Sequence, residues 1–264
     1  MSTIVTTQRP QINLLWTGGL DSTFRLWELS RNEVDVLPYY IVDTTRGSIP
    51  QKRIAMEKIL KMLRSDPLTK ANISDIKYID FSTILPDDEI TESWKKFYDW
   101  NQLGSQYDYL ARFAKQNNLK LEFGLECSLR SKATTVLKKF GNLIKDSYLS
   151  NYSKWSEFYH VSDDGTNQDC IKIFQYFNFP AHLFEIEKVE EVEIMKNNGA
   201  FDIAKATWFC HRPICGLTCG QCNPCKDALN EGMEWRVSKI GRILGYGRSK
   251  YYGARHRLAR LLKH

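Results

Sequence analysis

The chain has 264 residues, 42% of them hydrophobic, which suffices for one large domain or one domain with a small appendage. No apolar run approaches the ~20 residues of a membrane helix, and "MSTIVTTQRP" lacks the apolar centre of a signal peptide, so the cytoplasm is the expected compartment and no membrane partner is expected. The net charge of +6 is uneven: nine Lys or Arg and no acid follow Trp235, leaving 28 basic against 31 acidic residues elsewhere, so the tail is basic and the domain is not.

In chain order, "INLLW" reads as a buried strand by length and apolar content. "STFRLWELSR" follows as a helix. "VDVLPYYIVD" reads as a second strand, with Pro38 favouring a bend or an edge position. "QKRIAMEKILKML" has helical spacing, "IKYIDFS" reads as a short strand, "SQYDYLARFAKQNN" as a helix and "LKLEFGLE" as a strand. This alternation predicts a doubly wound α/β fold, with a parallel sheet covered on both faces. Residues 142–180, rich in aromatics, read as a helical and loop insertion. "AHLFEIEK" reads as a further strand, "VEEVEIMKNNG" as a helix stopped by Gly199, and "KDALNEGMEWRVSKIGRIL" as a last helix. Two units are expected: residues 1–205 as a nucleotide-binding α/β domain, and 206–264 as a metal-binding segment with a basic C-terminal helix.

The turn "TGGLDS", at the end of the first strand, lies where ligands bind in open α/β sheets. Gly18 and Gly19 permit positive φ and close approach of a ligand. The next helix offers unpaired N–H groups at its positive end. Thr17, Ser22 and Thr23 can donate hydroxyls to phosphate. Asp21 suits such a place when a cation intervenes, as Mg²⁺ does between carboxylate and phosphates. The turn is neither a Walker loop nor G-x-G-x-x-G. It resembles the S-G-G-x-D-S signature of the PP-loop ATP pyrophosphatases, with Thr17 in the place of Ser. That resemblance implies an adenine nucleotide alpha hydrolase-like fold. It also implies a turn that grips the β,γ-pyrophosphate of ATP, and transfer of AMP to a substrate oxygen. Asp21 and Ser22 are the residues expected to serve the chemistry.

Five of seven cysteines lie in "CHRPICGLTCGQCNPC". Clustered cysteines in a reducing compartment point to a metal. Four thiolates at about 2.3 Å suit Zn²⁺. Cys219, Cys222 and Cys225 form two overlapping C-x-x-C steps, and spacing alone allows either Cys210 or Cys215 as the fourth ligand. Redox chemistry by a C-x-x-C pair is the rival reading. The C-x8-C-x2-C-x2-C pattern, with Gly after the second Cys and Thr before the first, resembles the zinc site of the 7-cyano-7-deazaguanine synthases (QueC-like proteins). These join such a site to the glycine turn in one chain.

The resemblance implies Zn²⁺ on Cys210, Cys219, Cys222 and Cys225, with ATP and Mg²⁺ on the turn. It further implies a small-molecule 7-deazaguanine substrate with ammonia or an amine as nitrogen donor. The carboxylate is adenylated to give an amide, which is activated again and dehydrated to the nitrile of queuosine biosynthesis. The chain departs from the family at the substrate end. An Arg-Asn pair is missing before the fourth strand, only Asp169-Cys170 and a Phe echo a Tyr-Pro-Asp-Cys-Arg segment, and "KVEEVEI" replaces a Thr-Lys step. Other readings are therefore carried: a QueC-like anti-phage enzyme that joins an activated deazaguanine to a protein amine, a tRNA-modifying PP-loop enzyme, and a non-catalytic zinc module.

Asp43, at the end of the second strand, and Gly124, in "FGLECSLRSK", are further nucleotide candidates. Arg46, Arg130 and Lys132 are candidate phosphate contacts. Cys127 and Cys170 read as buried structural thiols, and His211 as a surface residue beside the zinc loop. The aromatics from Tyr148 to Phe179 read as core packing or a homodimer contact. The basic tail reads as a solvated helix face in preference to a nucleic-acid site, because the rest of the chain is acidic.

Overall fold

A computed structural model describes residues 9–44, 47–125, 131–149 and 154–261. In the last helix, the side chains of Ser249 and of residues 252–261 fall outside the description. Arg46, Cys127 and Arg130 lie outside the described residues.

Strand β1 (Gln11–Leu15) is central, with β2 (Asp35–Val42) parallel on one side and β5 (Leu121–Glu122) parallel on the other. Beyond β2 lie β3 (Asn72–Ile73) and β4 (Lys77–Asp80), both parallel to it. Beyond β5 lies β8 (Phe177–Pro180), also parallel. An antiparallel pair, β7 (Glu157–Val161) and β6 (Leu143–Ser147), completes that edge. The chain thus winds outward from β1 in one direction, then returns to continue from its other side. The switch leaves a crevice at the carboxyl ends of β1 and β5, the usual ligand position in such sheets.

Side chains alternate along the central strands and fill two cores. Ile12, Leu14, Trp16, Val36, Tyr40 and Val42 face one core. Helices α1 (Leu20–Ser30), α2 (Ile49–Ser65), α7 (Lys188–Asn197) and α8 (Phe201–Ala206) pack there. Leu15, Tyr39 and Ile41 face the other, under α3 (Asp88–Asn101), α4 (Gln106–Gln116), α5 (Lys132–Phe140) and α6 (Gln168–Phe174). The predicted mostly parallel sheet with helices on both faces is therefore present. Ala228, Met233 and Val237 join the first core, so the segment after residue 205 shares that core with the sheet.

Pro38 lies in an interior strand, which corrects the edge expectation. Its backbone nitrogen faces the side where β2 has no ladder partner, between the Val36–Ile73 pairing and the Tyr39–Lys77 pairing. No N–H is needed in that gap. Residues 142–180 are not a helical insertion. Among the described residues they contain β6, β7 and β8, with only α6 as helix. "AHLFEIEK" is likewise not a strand: Ala181–Phe184 is a 3-10 turn, and the strand is the preceding "FNFP". The last expected helix divides into α9 (Asn223–Asn230) and α10 (Lys239–Leu261), separated by a 3-10 turn at Glu234–Arg236. Helix α3 was not expected from the sequence. No described helix is long and apolar enough to cross a membrane.

Candidate active site

The glycine turn is built by buried neighbours. Trp16 donates its backbone N–H to Tyr39 O (2.9 Å) and its indole N–H to Thr23 Oγ1 (3.0 Å). Gly18 follows at φ +69°, and a Cβ there would lie 2.7 Å from Met56 Cγ. Both facts favour glycine at this position. Gly19 is the N-cap of α1 and supplies no side-chain cap, so the first-turn N–H groups lack intrahelical partners. Thr17 N donates to Ser22 Oγ at 3.3 Å, and the two hydroxyls lie 3.4 Å apart.

A cavity of about 390 Å³ opens beside this turn and is lined by Thr17, Gly19, Asp21, Ser22, Asp43 and Gly124. These six candidates come from three strand ends, and the fold brings them to one place. Gly18 and Thr23 do not line it. Gly18 serves through its backbone, and Thr23 is fully buried with its hydroxyl turned to Trp16, so the expected phosphate contact from Thr23 is corrected. Asp21 Oδ1 is buried and accepts no hydrogen bond among the described residues. Lys188 Nζ lies 4.0 Å from it. A carboxylate oxygen left in this condition fits a cation carried in by a phosphate ligand.

The cavity also holds residues that the sequence reading missed. Lys188 belongs to the acidic stretch that replaces the Thr-Lys step, and the fold sets it at the start of α7 beside Asp21. Arg236 also lines the cavity. Its guanidinium donates to Thr207 Oγ1 at 3.0 Å and stacks 4.3 Å from the Phe209 ring. Burial lowers its pKa, and the charges of Asp21 and Glu191 offset part of that effect. Lys52, Trp208, Phe209 and His211 are also in the wall. Lys52 and the stretch from Trp208 to His211 are far from the turn in sequence, and no local spacing joins them to it.

The cysteine cluster forms the adjoining unit. The sulfurs of Cys210, Cys219, Cys222 and Cys225 all lie within 4.8 Å of one another. Tetrahedral bonds of about 2.3 Å require sulfurs roughly 3.8 Å apart, so the four fit one metal ion. Cys210 is thereby the fourth ligand candidate, and exposed Cys215 stands in a tight turn at φ +48°. Backbone N–H groups of Cys219 and Cys222 donate to the sulfurs of Cys210 (3.3 Å) and Cys219 (3.4 Å). The unit is tied to the glycine turn, because Trp208 N donates to Gly18 O at 2.8 Å.

Behind the turn lies a buried ionic network. Arg25 Nε and Nη2 donate to the two oxygens of Glu122 at 2.7 and 2.8 Å. Arg25 also pairs with Glu28, which lies 3.1 Å from His182 Nε2. Tyr148 donates to Glu122 at 3.0 Å. Burial disfavours charge on Arg25, but Glu122 and Glu28 more than compensate and hold it protonated.

Asp169 and Cys170 lie away from the cavity lining. Asp169 is bound by Lys96 and Ser93, each at 2.9 Å. Cys170 is fully buried, and burial pushes its thiol up to about 12, as expected for a structural thiol. Phe174, Phe177 and Phe179 pack in the second core, the packing role expected of the aromatics. His211 is exposed, as expected, at the cavity wall. No protein-family model matches the chain, and no curated protein matches it in sequence.

Proposed function

We propose that the protein is a QueC-like PP-loop enzyme that uses ATP to adenylate the carboxylate, or the derived amide, of a 7-deazaguanine. One observation carries this reading: the cavity at the strand-switch crevice collects Thr17, Gly19, Asp21 and Ser22 under a cap from the cysteine segment. The first-turn N–H groups of α1 and the Thr17 and Ser22 hydroxyls bind the β,γ-pyrophosphate. Asp21 holds Mg²⁺, which when bound neutralises charge on the phosphates. Lys188 and Arg236 line the same cavity and stabilise charge there.

The acceptor oxygen attacks the α-phosphorus, the bond to the β-phosphate oxygen breaks, and pyrophosphate leaves with that electron pair. Ammonia or an amine then attacks the activated carbon, loses a proton, and AMP departs. A walled cavity serves both steps by limiting hydrolysis of the adenylate. The four cysteines would hold Zn²⁺ in a structural role, because four protein sulfurs are available to it.

The position of Asp169 and Cys170 outside the cavity favours a second reading of the acceptor. In it the same adenylation serves an anti-phage conjugation, with a protein amine as the nucleophile. Pyrophosphate release measured with 7-carboxy-7-deazaguanine, with and without ammonia, tests the reading. Asp21→Asn is expected to lower release about a hundredfold or more with an unchanged far-ultraviolet spectrum. An active Asp21→Asn protein at ordinary Mg²⁺, or no release with any deazaguanine, would overturn it.

A further inference from the structure

The part of the cavity wall that follows Ala206 carries one guanidinium in a fixed pose. Arg236 is half-buried there, with Cζ 4.3 Å from the centroid of the Phe209 ring. Its Nη2 donates to Thr207 Oγ1 at 3.0 Å, and that buried hydroxyl is already committed as a donor to Ala204 O at 2.7 Å. Phe209 packs against the first core, and Trp208 between the two donates its backbone N–H to Gly18 O at 2.8 Å. A ring on one face and a hydroxyl at one edge thus hold the guanidinium, and both are anchored to the sheet.

A guanidinium has five N–H donors, and the Thr207 hydroxyl is the one acceptor that hydrogen-bonds to this one among the described residues. Donors are therefore left for a ligand. The cavity holds a second, different donor group at the glycine turn, where α1 starts after Gly19 and Lys188 Nζ lies 4.0 Å from Asp21 Oδ1. That group offers backbone N–H and a compact ammonium, which suit phosphate. The group at Arg236 is a planar fork, which matches two oxygens held in one plane, as in a carboxylate. Trp208, Phe209 and His211 line the cavity beside it, and such flat side chains suit a planar ring.

We propose that Arg236 is the residue that selects the acceptor: its guanidinium takes the carboxylate of a planar aromatic acid in two parallel hydrogen bonds and discriminates against the neutral amide. On the adenylation reading, on which this role rests, one carboxylate oxygen then attacks the α-phosphorus and pyrophosphate leaves with the electron pair of the broken bond. Each carboxylate oxygen has lone pairs beyond the one that accepts from Arg236, so the clamp does not block the attack. An amide offers one acceptor oxygen and sets its own N–H donors against those of the fork. Lysine at this position would keep the charge but lose both the fork and the stack on Phe209.

Calorimetric titration of the full-length protein reads the selection, with 7-carboxy-7-deazaguanine and indole-3-carboxylate each compared with its own carboxamide. A non-hydrolysable ATP analogue is titrated separately. Each acid is expected to bind about tenfold or more tightly than its amide. In Arg236→Gln that preference is expected to vanish, and in Arg236→Lys to shrink, while both variants keep the wild-type affinity for the ATP analogue and so report an intact fold. Equal binding of acid and amide by the wild type overturns the proposal. So does an Arg236→Gln protein that retains the preference, or one of unchanged melting temperature that loses the ATP analogue together with the acids, because the guanidinium then serves the phosphates. An Arg236-dependent preference for indole-3-carboxylate without any binding of 7-carboxy-7-deazaguanine supports the clamp and overturns the deazaguanine acceptor. Binding of the ATP analogue with neither acid overturns the clamp and leaves nucleotide use standing.

Discussion

Arg25 shows how one residue fixes the geometry of the cavity without lining it. It sits one turn beyond Asp21 on α1 and grips Glu122, which precedes the cavity residues Phe123 and Gly124. Both side chains are fully buried, so losing one partner strands the other in a medium that cannot solvate it. Arg25→Met is therefore expected to cost about 3–5 kcal/mol, read from urea unfolding. The double variant Arg25→Met/Glu122→Leu is expected to recover part of this, because Glu122 is no longer stranded while Glu28 still loses its Arg25 partner. The same network gives a pH signature through Glu28. Burial raises its pKa, but Arg25 and His182 together lower it by more, leaving it below its ordinary 4.5. A carboxylate depressed in the folded state adds stability above its unfolded value and loses it as pH falls through the folded one. The stability difference between wild type and Glu28→Gln is thus expected to be largest near neutral pH and to shrink steadily below about pH 4.5. A difference that grows on acidification would refute the network's charge state.

At the scale of elements, legibility followed pattern strength. The glycine turn was readable because strand, turn and amphipathic helix are contiguous, and the cysteine group because ligand spacing is local. Helix α3 was missed although Asp87 caps it by accepting the Ile90 N–H, with Asp88 and Glu89 in its first turn; that acid-rich start was the available signal. Strands β6 and β7 were missed because β6 exposes most of its side chains and so lacks a clean alternation. Lys188 and Arg236 could not be placed at all, since only tertiary packing brings them to Asp21. The cysteine loop illustrates what the structure adds. Cys219→Ser is expected to release the metal, about one per chain, and to destabilise the fold, whereas Cys215→Ser does neither; elemental analysis and thermal melting check both. Gly245→Ala drives a methyl into Cys219 O, and repacking of this kind costs about 1–3 kcal/mol. It is expected to lower the melting temperature and to speed metal loss to a chelator. Unchanged melting would mean that α10 does not seat on the loop as described.

The whole molecule joins the cysteine segment to the cavity beside the glycine turn. Trp208 reaches the backbone of Gly18, Phe209, His211 and Pro224 line the wall, and Arg236 is braced by Thr207. Ala228, Met233 and Val237 share a core with β1 and β2. The segment that carries the four cysteines therefore supplies one wall of the cavity, and under the proposed function binding of metal and of nucleotide would each favour the arrangement that the other needs. Linkage makes this reciprocal: whatever factor the metal adds to nucleotide affinity, nucleotide adds to metal affinity. Removing zinc with a chelator is expected to weaken binding of a non-hydrolysable ATP analogue by about 5- to 150-fold. Calorimetric titration of the metal-loaded and stripped proteins measures this. Saturating the loaded protein with the analogue is in turn expected to slow zinc release to a chromogenic chelator. That second measurement does not require the stripped protein to remain folded. Equal release rates with and without bound nucleotide would show that the two sites are neighbours without being coupled.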